Sequence, residues 1–199
     1  MASTFGVYLR LGFDHLLDLR GYDHILFLAV LCAAYSLARW RELLILVTAF
    51  TVGHSLSLAA ATLGLVRIGS GLVEFLIPVT IVATAVTNLA GLSRRGRGTG
   101  RWSAPRVRYG LALVFGVVHG LGFATFLRLA LGGERSIWLP LLSFNIGLEL
   151  AQIVAAAGVL ATGLVATRIP GVGERLWTVA LSAAAGSVAF VMAAGRFPP

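Results

Sequence analysis

Apolar residues in this chain come in long unbroken runs, not in the alternation of half-buried strands or the one-sided periodicity of surface helices. Leu43–Val66, Phe75–Ser93, Tyr109–Leu127, Ser136–Thr167 and Leu176–Gly195 together hold one charged residue, Glu149. A sixth run, from Arg20 to Ala38, carries Asp23 and His24 in its first turns. A helix needs about 20 apolar residues to cross a bilayer core, and membrane β-strands would be shorter and alternating. The pattern therefore predicts an all-α, polytopic membrane bundle with six spans, at about 20–38, 43–64, 73–92, 109–130, 137–166 and 176–195. Residues 20–199 form that single bundle. Residues 1–19 precede it as a short extracytoplasmic segment, with Phe5, Leu9, Phe13, Leu16 and Leu17 near the spacing of a helix lying on the membrane surface. This segment lacks the apolar core of a cleavable signal peptide, so the first span is expected to act as the insertion signal.

Composition strengthens this reading. The chain is 58% hydrophobic and 12% charged, with a mean hydropathy of +0.90, whereas soluble domains are about one-quarter charged. Charge then sets an expected orientation. The net charge of +8 comes from sixteen basic residues, all arginine, and six of them lie in the acid-free stretch 93–108, SRRGRGTGRWSAPRVR. By the positive-inside rule that loop is cytoplasmic, Arg39, Arg41, Arg168 and Arg175 join it, and both termini face out. Anionic lipid suffices as the partner of these arginines, and no nucleic acid is called for. The single Cys32 excludes intrachain disulfides and CxxC chemistry.

The polar residues inside the runs carry the candidate chemistry. FTVGHSLSLA (50–59) and FGVVHGLGFA (115–124) match at Phe, Val, His, Leu and Ala, and both fall on spans expected to run in the same direction. Their small residues suit close helix packing. Their histidines, His54 and His119, sit midway along their runs, where a polar side chain is costly and normally faces a partner in the interior. His24 is also embedded, and His15 is the one histidine expected outside. In SFNIGLELAQ, Asn145, Glu149 and Gln152 share one helix face, and a mid-membrane acid must be paired, protonated or bound to a cation. Asp23 beside His24 can ligate a metal or orient the imidazole. Glu74, Asn88, Ser55, Gln152 and His15 are weaker candidates. With imidazoles, carboxylates and an amide but no useful thiolate, the donor set suits a borderline divalent ion such as Ni(II) or Co(II), and zinc also suits it.

In sequence order, GYDHILFL (21–28), FTVGHSLSLA (50–59), LVEFLIPVTIVATAVTNL (72–89), VFGVVHGLGFA (114–124) and LLSFNIGLELAQ (141–152) resemble the HupE/UreJ family of membrane proteins over about residues 12–155. The resemblance implies a nickel/cobalt permease in a bacterial cytoplasmic (inner) membrane. It also implies a metal route through Asp23, His24, His54, His119, Asn145 and Glu149. The family's first motif has a further histidine closer to DH than His15 is here, eight residues before Asp23, so the resemblance does not carry His15 over as a ligand.

Two readings of function from different classes follow. The first is a permease for a divalent transition metal, nickel or cobalt, with the ion as substrate; a cytoplasmic metallochaperone and a second copy of the chain are partners it leaves open. No nucleotide-binding motif is present, so the drive would come from membrane potential, protons or capture of the ion inside. The alternative is an intramembrane metalloenzyme holding zinc or iron at the same cluster, although no H-E-x-x-H or G-x-S-x-G motif occurs. Haem ligation by paired histidines is a third reading, which a Soret band would reveal.

Overall fold

The computed structural model describes residues 3–93, 105–132 and 136–197, so most of the arginine-rich loop expected at 93–108 lies outside the described residues. All regular elements among the described residues are helical: α1 Thr4–Leu17, α2 Asp23–Ala33, α3 Trp40–Thr62, α4 Ser70–Ser93, α5 Pro105–Ala130, α6 Trp138–Ala166 and α7 Glu174–Gly195. Helices α3 to α7 are long and apolar enough to cross a membrane. Large side chains such as Leu56, Phe126, Leu142, Val154 and Phe190 lie on their outer faces, as lipid contact requires. This is the architecture of a multi-pass membrane protein.

The first expected span is corrected. In place of one helix over about 20–38, α2 has 11 residues. At 1.5 Å per residue this is about 16 Å, roughly half a bilayer core. It stops at Ala33 because Ser36 is extended (φ −116°, ψ 166°) and a 3-10 turn, Leu37–Arg39, follows before α3. Helix α1, capped by the Ser3 hydroxyl accepting from Gly6 N at 3.2 Å, packs along the first half of α6. Tyr8 joins Leu58, Leu127 and Leu141 near one end of the bundle, while Leu16 reaches Leu148 and Ala151 deeper in. Helix α2 continues toward the opposite end, where Thr178 Oγ1 of α7 donates to Ala33 O at 2.7 Å. Two half-length helices thus follow one another along the bundle, with the turn at 18–22 between them.

Glycines set the closest contacts. Gly53 of α3 lies against the Leu113 carbonyl, and Gly116 of α5 lies against the Phe50 carbonyl, so the two backbones touch reciprocally. The same arrangement pairs Gly12 of α1 with the Phe144 carbonyl and Gly147 of α6 with the Leu9 carbonyl. Helix α4 contains Pro78, which lacks the N–H that would bond to the Glu74 carbonyl. Arg196, at the end of α7, donates to that carbonyl at 3.4 Å. It also lies 3.9 Å from Asp23 Oδ2, so one guanidinium links α7, α4 and the start of α2.

Candidate metal centre

All four histidines meet in the interior. His15 is in the last turn of α1, His24 in the first turn of α2, and His54 and His119 are midway along α3 and α5. The close α3·α5 contact follows from Gly53, Gly116 and Gly120, and it brings His54 and His119 to one level. Ring centroids are 4.8 Å apart for His15 and His24, 6.2 Å for His24 and His54, and 5.2 Å for His24 and His119. One nitrogen from each of His15, His24 and His54 falls within 4.8 Å of the others, the one such group among the described residues. In a tetrahedral site the nitrogens are about 3.3 Å apart, so the three would have to close in on one another by up to about 1.5 Å to share one ion.

The hydrogen bonds leave nitrogens of this cluster unused. Asp23 Oδ1 accepts from His24 N at 2.9 Å and lies 3.1 Å from His24 Nδ1. A carboxylate only accepts, which puts the proton on Nδ1 and the lone pair on Nε2. Thr80 donates its hydroxyl to Ile77 O at 2.7 Å, so at 3.0 Å it accepts from His119 Nε2, and the His119 lone pair is on Nδ1. His24 Nε2, His119 Nδ1, His15 Nε2 and both His54 nitrogens are buried without a hydrogen-bond partner. Buried polar groups are nearly always paired, so this concentration fits a place for a cation. Asp23 and Thr80 occupy the position of groups that orient metal-ligating histidines.

Aromatic rings close the cluster at both ends. The Phe123 ring lies 3.8 Å from His15 and stacks at 5.2 Å on Phe144. On the other side Phe27 and Phe50 stack at 4.7 Å, each 5.1 Å from His119.

The remaining candidates lie elsewhere. Glu149 Oε1 accepts from Thr48 Oγ1 at 2.7 Å, and Gln152 accepts from Thr51. Asn145 donates to Leu141 O at 2.8 Å. Glu149 Oε2, Gln152 Nε2 and Asn145 Oδ1 are buried and unpartnered. Glu149 and Gln152 bond across from α6 to α3, Asn145 bonds within α6, and all three lie outside the three-histidine group. Ser55 donates to its own helix at Thr51 O. Asn88 ties α4 to Val30 O and Ser182 Oγ, and Glu74 is exposed.

His15, expected outside the membrane, is instead central. A signal for it is present in the sequence: GFDH at 12–15 and GVVH at 116–119 share a glycine three residues before histidine. In both, that glycine is the one pressed against a neighbouring backbone. The family model described as HupE / UreJ protein matches residues 1–197. No curated protein and no solved structure matches the chain significantly.

Proposed function

The chain belongs to the HupE/UreJ family, and from that premise we propose that it is a permease for a divalent transition-metal ion, nickel or cobalt, carried through the histidine cluster. The observation supporting this most is the set of imidazoles with unpartnered nitrogens buried among membrane-length helices. Imidazole is a good ligand for late first-row ions. A short row of such ligands replaces hydration without holding the ion too tightly for release. In this reading the N-terminal ends of α3, α5 and α7, with Arg41, Arg108 and Arg175, face the cytoplasm, and the ion comes in from the side of α1.

The test is uptake of nickel, cobalt and zinc into liposomes holding the purified protein, with bound metal counted on the same samples. Saturable uptake selective for one ion supports the permease. No uptake, with about one tightly held metal per chain, favours the metalloenzyme. Asp23→Ala and Thr80→Val each remove a group that orients a histidine, and each is expected to weaken metal binding by about ten- to a hundredfold. Titration followed by the visible absorption of cobalt measures this; unchanged affinity in both variants would remove that role.

A further inference from the structure

Because α2 ends at Ala33, the described residues leave an open space below it. The space left at the end bearing Arg39 and Arg108 is a cavity of about 990 Å³, walled in part by Ala33, Tyr35, Thr87, Asn88, Gly163 and Trp177. A smaller cavity of about 50 Å³ lies deeper, bounded by Thr84, Asn88, Ala112 and Phe115 among others, and it shares Tyr35, Thr87, Asn88 and Arg108 with the larger one. A buried water needs about 10–15 Å³, so the smaller space admits a few water molecules or a partly hydrated ion.

The smaller cavity comes within one helical turn of His119 and of its partner Thr80. Phe115 precedes His119 by one turn on α5, and Thr84 follows Thr80, the partner of His119, by one turn on α4. Thr80, Thr84 and Asn88 stand at i, i+4 and i+8, on one face of α4. Thr84 is buried, with its hydroxyl donating to Thr80 O at 2.8 Å. Asn88 is held at the cavity wall by its bonds to α2 and α7. Between α2 and α3 the way is closed by the stacked rings of Phe27 and Phe50, both 1% exposed.

Building on the permease reading, we infer that the ion leaves His119 along α4, past Thr84 and Asn88, into these two cavities, with the Phe115 ring as the barrier at their head. The oxygens of Thr84 and Asn88 are neutral and bind a late transition metal more weakly than imidazole does. They therefore provide a descending series of affinities from the cluster to water, as release requires.

Thr84→Val keeps the shape and removes the hydroxyl. It is expected to lower liposome uptake by about tenfold, the loss of one hydrogen-bonding group to a charge, while the cobalt absorption of the histidine site stays as in the wild type. Thr84→Ser is expected to restore uptake. Full uptake by Thr84→Val overturns the route and leaves the permease reading intact. Loss of the cobalt absorption in folded Thr84→Val would place Thr84 within the histidine site and also overturn the route. Absence of uptake by the wild-type protein overturns the permease reading and this inference with it. If Thr84→Val does not fold, Phe115→Leu decides: faster uptake supports the barrier at this place, and unchanged or slower uptake overturns it.

Discussion

His54→Leu is expected to make the metal-free protein more stable and to remove most of its metal binding. His54 is fully buried, and both of its ring nitrogens lack a hydrogen-bond partner. Each buried polar group left unpaired costs about 1–3 kcal/mol, so an apolar side chain of similar size should stabilise the empty bundle by about that amount. Binding moves the other way. Four-ligand zinc sites are worth about 10–16 kcal/mol, so one ligand accounts for about 3 kcal/mol, or roughly two powers of ten in affinity. Thermal unfolding in detergent without metal, and titration with nickel or cobalt, measure the two effects. A less stable variant with unchanged affinity would show that His54 is a packing residue. Opposite signs are the mark of a side chain kept for its ligand and not for the fold.

Gly116→Val is expected to break the α3·α5 pair. The added branched side chain would meet the Phe50 carbonyl, with the His54 backbone nitrogen 3.0 Å away. Neither is a side chain that can rotate aside. Overpacking typically costs about 1–3 kcal/mol, and a clash against backbone belongs at or above the top of that range. Gly110→Val, on the same helix with nothing within 4 Å, is the matched control and should be neutral or slightly stabilising, because valine is the better helix former. The fraction of protein still monodisperse by size exclusion after heating reports both. Equal behaviour of the two variants would mean that the helices are not in close contact at Gly116. Metal binding should fall with Gly116→Val as well, since the same contact aligns His54 with His119.

The five long helices were legible because a charge-free run of about 20 residues has few other structures open to it. The break in the first span was not. Ala33, Ala34, Leu37 and Ala38 continue the apolar run, and hydropathy does not register that Ser36 leaves the helical conformation. His24, His54 and His119 were legible as buried imidazoles from the cost of placing them in apolar runs. His15 was marked only by the glycine it shares with His119 three residues upstream, because its position depends on the turn at 18–22, which folds the last turn of α1 toward the first turn of α2. The pairing of Glu149 with Thr48 likewise depends on the register between α6 and α3, which one-dimensional spacing does not carry. The separation of orienting groups from candidate ligands at Asp23 and Thr80 required hydrogen-bond geometry.

The two half-length helices at the start of the chain also bear on its synthesis. Neither α1, with 14 residues, nor α2, with 11, is long enough to anchor itself across a bilayer as a lone helix. Helix α3, with 23 residues, is long enough, and it follows them in the chain. The main partner of α1 is α6, which is translated well after it, whereas α2 packs on α4 as well as on α6 and α7. His15 therefore takes its place only once α6 is made, and a nascent or truncated chain lacking α6 does not hold His15 beside the other three histidines.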